Sequence, residues 1–284
     1  MSDRITTRDL RGRKGGKPIA ALTAYDVSFA RLFDRAGMDI LLVGDSLAEM
    51  MLGYKNTIPV TMDEMLSLAA AVVRGSERAF VVADLPFLSY QASSSDAVRN
   101  AGRFLKEAGV QAVKLEGGGP VVETVRSLTS AGIPVMGHLG LQPQSEHQIG
   151  GRRHVAARTA DAAQVLIQEA RQLEDAGVFS LVLEKVPWQV AQRVTAAIAA
   201  PTIGIGAGPY CDGQVLIMHD LLGLGDHLKA RFCPAYADLN AVITEAVARW
   251  TRDVAEKRFP DLEQSFGMKE DELEKLGGNY SGAG

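Results

Sequence analysis

Acidic, basic and hydroxyl side chains stand at the ends of several short apolar runs: Asp45 and Ser46, Asp84, Lys114 and Glu116, His138, and Glu184. If those ends converge, the carboxylates repel one another, and a cation or raised pKa values must relieve them. Asp45, Asp84 and Glu116 offer only hard oxygen donors with no cysteine among them, a set that favours Mg²⁺ over zinc. Mg²⁺ keeps positions open for water or substrate. A 2-oxo acid could therefore chelate it through carboxylate and ketone oxygens, stabilising the enolate that forms when the neighbouring C–H is deprotonated. Lys114 can neutralise the acid's carboxylate and Ser46 can hydrogen-bond it. Glu184 is a candidate base, a role worth about 10²–10⁴-fold in rate.

Each residue also admits a simpler role. Asp and Ser after a strand often cap the next helix; Asp26, directly before a helical pattern, suits that role, whereas Asp84 is followed by Leu85-Pro86. Glu184 could pair with Lys185, since an unpaired charge on an apolar strand is costly. His138 could be a satisfied core residue, and the glycines of 204–208 could only permit tight turns.

The elements that must position these groups are legible as alternating patterns. Apolar runs at Ile19–Ala24, Asp39–Gly44, Phe80–Leu85, Ala112–Glu116, Pro134–Leu139, Ser180–Val186, Thr202–Gly206 and, least clearly, Val215–His219 predict strands. Several are apolar on both faces, as in a buried parallel sheet. Amphipathic stretches at Val27–Ala36, Met62–Val73, Ser95–Lys106, Val121–Ser130, Ala160–Asp175 and Trp188–Ala199 predict helices, many ended by an Ala-Gly pair. Strands alternating with helices over this length predict a single-domain α/β fold, the (β/α)8 TIM barrel, with the strand ends gathered on one face. A doubly wound sheet would carry a Gly-rich turn after its first strand, where Tyr25-Asp26 stands instead. The barrel is expected over 1–266, with 267–284 a frayed helix and disordered tail. The polar stretch Leu141–Ala157 is long for a βα turn and suits a lid or an oligomer contact.

Composition narrows the partners. With 46% hydrophobic and 23% charged residues over 284, the chain can bury a large core. The net charge of −4 is spread without a basic stripe, which argues against nucleic acid. No apolar run approaches the roughly 18 residues of a membrane span. Cys211 and Cys233 stand far apart, outside any zinc or disulfide spacing, and fit a reducing compartment. The amino terminus lacks an apolar leader, so a cytoplasmic location is expected.

Taken together, LTAYD at 22–26, VGDSL at 43–47, TIPVT at 57–61, ADLPF at 83–87, KLEGG at 114–118, GHLGL at 137–141, EKVP at 184–187, IGIGAG at 203–208 and CDGQV at 211–215 resemble ketopantoate hydroxymethyltransferase, in order and over nearly the whole chain to about Phe266. The resemblance implies enolisation of 3-methyl-2-oxobutanoate on Mg²⁺ and addition of a hydroxymethyl group from the co-substrate 5,10-methylenetetrahydrofolate, giving 2-dehydropantoate for pantothenate biosynthesis. It implies metal binding by Asp45 and Asp84, with Glu116 a direct or water-bridged ligand. Asp45, Ser46, Asp84 and Lys114 would hold the oxo acid, His138 would line the site, and Glu184 would take the proton. A homo-oligomer, a decamer, is also implied.

The sequence departs from the family pattern at Ala48-Glu49-Met50, over 146–158, and at Lys185, where a small residue is usual. A different 2-oxo acid or one-carbon donor therefore stays open. So does a Mg-dependent C–C lyase or mutase of the isocitrate lyase type, although no Cys-containing loop of that group is present. If Lys185 faced the pocket it could lower the Glu184 pKa; strand alternation points it away.

Overall fold

The computed structural model describes residues 4–151, 154–225 and 231–277. Eight parallel strands, β1 (Ile19–Thr23), β2 (Ile40–Val43), β3 (Phe80–Asp84), β4 (Ala112–Glu116), β5 (Val135–Gly140), β6 (Ser180–Glu184), β7 (Thr202–Ile205) and β8 (Gly213–Leu216), close into a barrel in sequence order, with β8 paired to β1. The expected (β/α)8 fold is therefore observed. The helices are α1 (Thr7–Arg11), α2 (Val27–Arg35), α3 (Leu47–Met50), α4 (Met62–Gly75), α5 (Ser94–Arg103), α6 (Val122–Ser130), α7 (Glu146–Ile149), α8 (Ala160–Asp175), α9 (Trp188–Ala197), α10 (Met218–Leu222), α11 (Leu239–Ala255) and α12 (Glu270–Lys275).

The two-residue period of the strands sorts their side chains. One parity (Leu41, Val81, Val113, Leu139, Leu181, Leu183) packs outward against the helices. The other (Ile19, Ile40, Phe80, Ala112, Met136, Val182, Ile203) fills the barrel interior, joined from below by Ile5 and Leu10. The inward parity continues upward through Asp84, Lys114, Glu116, His138 and Glu184. The apolar floor and the polar upper layer are thus one set of positions.

The eighth strand differs from expectation. It covers Gly213–Leu216 rather than Val215–His219, and His219 lies in α10. A Cβ at Gly213 would meet the Ile19 carbonyl oxygen at 2.5 Å, so barrel closure requires glycine where the sequence looks least like a strand. β6 stops at Glu184 because Lys185 turns to φ +47°.

The chain divides into two compact units, Met1–Tyr236 and Ala237–Gly284. The first holds the barrel. The second holds α11, whose Val242, Ile243, Val247, Trp250 and Val254 are exposed, and α12, a short helix within the stretch expected to fray. Residues 278–284 of the expected tail lie outside the described residues. Among the described residues, no helix is long and apolar enough to cross a membrane.

Candidate active site

The upper layer lines a cavity bounded by Asp45, Ser46, Asp84, Lys114, Glu116, His138 and Glu184, with Thr23, Glu49, Thr57 and Pro143 at its sides. All the site residues expected from sequence are brought together. Strand register explains much of this: Asp84 pairs with Lys114, Glu116 with His138, and Gly140 with Glu184. Asp45 and Ser46 follow β2 in the turn that leads into α3.

Asp84 is buried, and each of its carboxylate oxygens accepts one hydrogen bond. Its Oδ1 accepts from Lys114 Nζ at 2.7 Å, and its Oδ2 accepts from the Asp45 N–H at 3.0 Å. Asp84 is therefore no helix cap. Burial, followed by the carboxylates of Glu116 and Asp84, pushes the Asp45 carboxyl up to about 8, against the pull of Lys114 and Gln144. Burial alone would lower the Lys114 pKa, but Asp84, Glu116 and Asp45 outweigh it and hold the ammonium charged. His138 sits between two carboxylates, Nδ1 3.6 Å from Glu116 Oε1 and Nε2 3.3 Å from Glu184 Oε2, without hydrogen-bond geometry to either. Burial and Lys114 oppose its protonation, yet Glu116 and Glu184 prevail and raise it to about 9. Glu184 is the more open end of this row, its side chain 17% exposed against 2% for His138.

A family model described as ketopantoate hydroxymethyltransferase matches residues 4–262. The chain belongs to this family. A 3-methyl-2-oxobutanoate hydroxymethyltransferase of Carboxydothermus hydrogenoformans is 51% identical over 275 residues, covering 96% of this chain and 99% of the relative. One of Moorella thermoacetica is 54% identical over 264 residues, covering 93% and 98%. Membership makes the chain an enzyme, a hydroxymethyl transferase. Among solved structures, phosphoenolpyruvate phosphomutase from Streptomyces platensis subsp. rosaceus superposes with a TM-score of 0.58 at 15% identity, covering 96% of this chain and 94% of that one. At that identity the likeness is one of fold.

The donor set can be weighed against the Mg²⁺ that the family implies. Among the described residues, no group of three or more His, Cys, Asp or Glu side chains is arranged to hold a metal. A closed protein cage is thus not what these residues offer. Mg²⁺ is commonly held by one or two carboxylates, with water and substrate completing the shell, and Asp45 and Asp84 supply that number. The raised Asp45 carboxyl, crowded by two other acids, is the group a cation would relieve. The donor set fits. The Glu116 carboxylate lines the same cavity, its Oε2 accepting from the Gln144 N–H at 3.1 Å.

The remaining expectations resolve individually. Asp26 caps α2, its Oδ1 accepting from the Ser28 and Phe29 N–H groups. Lys185 does not line the cavity; its backbone N–H donates to the Ile205 carbonyl and its carbonyl accepts from the Ala156 N–H. Of the departing loop, 152–153 lie outside the described residues, while Glu146–Ile149 forms α7, directly after the 3-10 turn Pro143–Ser145. Sequence reasoning did not single out Tyr25, Tyr90 or Gln144. Tyr25 shares a hydrogen bond of 2.8 Å with Ser46 Oγ; Gln144, in the turn after β5, donates to Asp45 Oδ2, and Tyr90, in the loop after β3, hydrogen-bonds Gln144. No spacing rule points to Tyr90 and Gln144, because irregular turns carry them.

Proposed function

We propose that the enzyme transfers a hydroxymethyl group from 5,10-methylenetetrahydrofolate to 3-methyl-2-oxobutanoate, giving 2-dehydropantoate for pantothenate biosynthesis. In this reading Asp45 and Asp84 hold Mg²⁺, with Glu116 beside them. The observation that carries it is Glu184 at the open end of a buried acid–lysine cluster, its Oε2 3.3 Å from His138. The identity of the oxo acid is supported by the names of the relatives.

When bound, Mg²⁺ supplies the polarisation of the ketone that makes the adjacent C3 proton acidic. Lys114 offers the acid's carboxylate a positive charge within a cavity lined by several carboxylates. Ser46 Oγ, held by the Tyr25 hydroxyl, hydrogen-bonds the acid and fixes its orientation. Glu184 accepts the C3 proton on its carboxylate, whose Oε2 lies 3.3 Å from His138 Nε2. The C3 carbon so freed then attacks the one-carbon unit of the donor; both C–N bonds to the folate break, water supplies the hydroxyl oxygen, and tetrahydrofolate leaves.

The proposal extends to a homo-oligomer, a decamer by family resemblance, supported by the exposed apolar side chains along α11. It extends to the cytoplasm, supported by the free thiols of Cys211 and Cys233. The test is proton exchange: the enzyme with Mg²⁺ and 3-methyl-2-oxobutanoate in D₂O, without folate, followed at C3 by NMR. Exchange that EDTA and Glu184→Gln both abolish is expected. No exchange in folded, metal-replete enzyme would overturn the substrate assignment, and a panel of other 2-oxo acids would then test the runner-up substrates.

A further inference from the structure

Gln144 is only 3% exposed and lies in the 3-10 turn after β5, yet its atoms reach the ends of β2, β3 and β4. Nε2 donates to Asp45 Oδ2 at 3.0 Å and to the Leu85 carbonyl at 3.0 Å. Oε1 accepts from the Tyr90 hydroxyl at 3.0 Å and from Gln91 Nε2 at 3.3 Å. Its backbone N–H donates to Glu116 Oε2 at 3.1 Å. A single buried residue thus restrains two of the crowded carboxylates and ties their strand ends to its own.

The orientation of the amide is fixed by its surroundings. The Leu85 carbonyl can only accept, so the nitrogen must face it, and that same nitrogen faces Asp45. On the other side, the Tyr90 oxygen accepts from the Glu116 N–H at 3.2 Å, and its one proton has two acceptors in reach, Gln144 Oε1 at 3.0 Å and the Glu116 carbonyl oxygen at 3.1 Å. Glutamate in place of Gln144 would lack the donor and add another negative charge to the cluster. An amide is the group that both donates to a carboxylate and accepts from a phenol here.

We infer that Gln144 is a positioning residue: its amide, oriented by Tyr90, holds one oxygen of Asp45 so that the other is presented to the cation. This rests on the metal reading proposed above. Partners that orient a metal ligand typically contribute about 10–100-fold in metal affinity.

The test uses Mn²⁺, a hard cation that takes the same oxygen ligands. Its dissociation constant is measured by water proton relaxation on the metal-free enzyme and on Gln144→Met and Tyr90→Phe, alongside the thermal midpoint of each without metal. Gln144→Met is expected to bind Mn²⁺ about 10–100-fold more weakly, and Tyr90→Phe to show a smaller loss of the same sign. A purely structural role would lower the midpoint but leave the affinity of the folded protein unchanged, and that result in Gln144→Met overturns the inference. If Gln144→Met does not fold, Tyr90→Phe decides, and an unchanged affinity there overturns it. Failure of the parent enzyme to bind Mn²⁺ overturns the metal reading and this inference together; equal binding by parent and variant overturns this inference alone.

Discussion

Lys114 and Asp84 face each other in register on adjacent strands, Nζ 2.7 Å from Oδ1, with side chains 6% and 3% exposed. The pair lies beside two further acids, Asp45 and Glu116, so the ammonium neutralises a neighbourhood rather than one partner. A buried ion pair earns little over an apolar pair, but removing one member leaves an uncompensated charge. Lys114→Met is therefore expected to destabilise the metal-free enzyme by about 3–5 kcal/mol in urea unfolding. Changing Asp84 to Asn in the same chain should recover part of that loss. An unaltered unfolding midpoint in Lys114→Met would count against the pair as the main source of compensation.

Glu184→Gln keeps shape and removes the proton acceptor. The turnover rate is expected to fall by about 10²–10⁴-fold, with little change in KM for the oxo acid, since binding is assigned to Lys114 and Ser46. Steady-state kinetics separate the two quantities. A large rise in KM with turnover intact would reassign Glu184 to binding.

The β7–β8 connection should set an acid limit on stability. Asp212 accepts from Lys14 Nζ and from the backbone N–H groups of Gly15 and Thr202, at 2.8–2.9 Å. Burial favours its neutral form, but these donors outweigh it and hold the carboxyl below its ordinary range. A depressed folded-state pKa gives stability that is fully present above the unfolded value, about 3.9, and is lost as pH falls through the folded value. Asp212→Asn should cost about 1.5–3 kcal/mol at pH 7 and flatten the acid limb of a stability–pH curve. An acid limb identical to the parent's would show that other carboxylates govern it.

Gly140 is the last residue of β5, at φ +103°, and a Cβ there would meet the Glu184 carbonyl oxygen at 2.1 Å. The Leu141 N–H donates to that same oxygen at 2.8 Å. Gly140→Ala is expected to cost on the order of 3 kcal/mol and to displace the base, so that activity falls further than the folded fraction does. Activity tracking the folded fraction would mean that Glu184 stays in place.

Most of the barrel was legible because a buried parallel strand reads as a short apolar run and an Ala-Gly pair marks the helix end. β8 was misjudged by its glycine: Gly213 is required by the Ile19 backbone, while the apolar Val215–Met218 run leaves the strand and enters α10. The acids and bases of the site were legible because each stands in the carboxyl-terminal part of a strand or just after it, where fold geometry turns order into proximity. Gln144 and Tyr90 were not, because their positions depend on turns closed by tertiary hydrogen bonds that no local spacing encodes. Asp26 shows the converse: the same residue type after the same kind of strand serves the backbone of α2 instead.

The floor and the upper layer of the barrel share a single alternation along each strand. Slipping β3, β4, β5 or β6 by one residue would turn Asp84, Lys114, His138 or Glu184 toward the helices and send Val, Leu or Ala into the cavity. A misassembled barrel therefore cannot retain its chemistry. Counting active sites in a refolded sample would count correctly registered molecules, and catalytic competence would serve as a readout of folding fidelity.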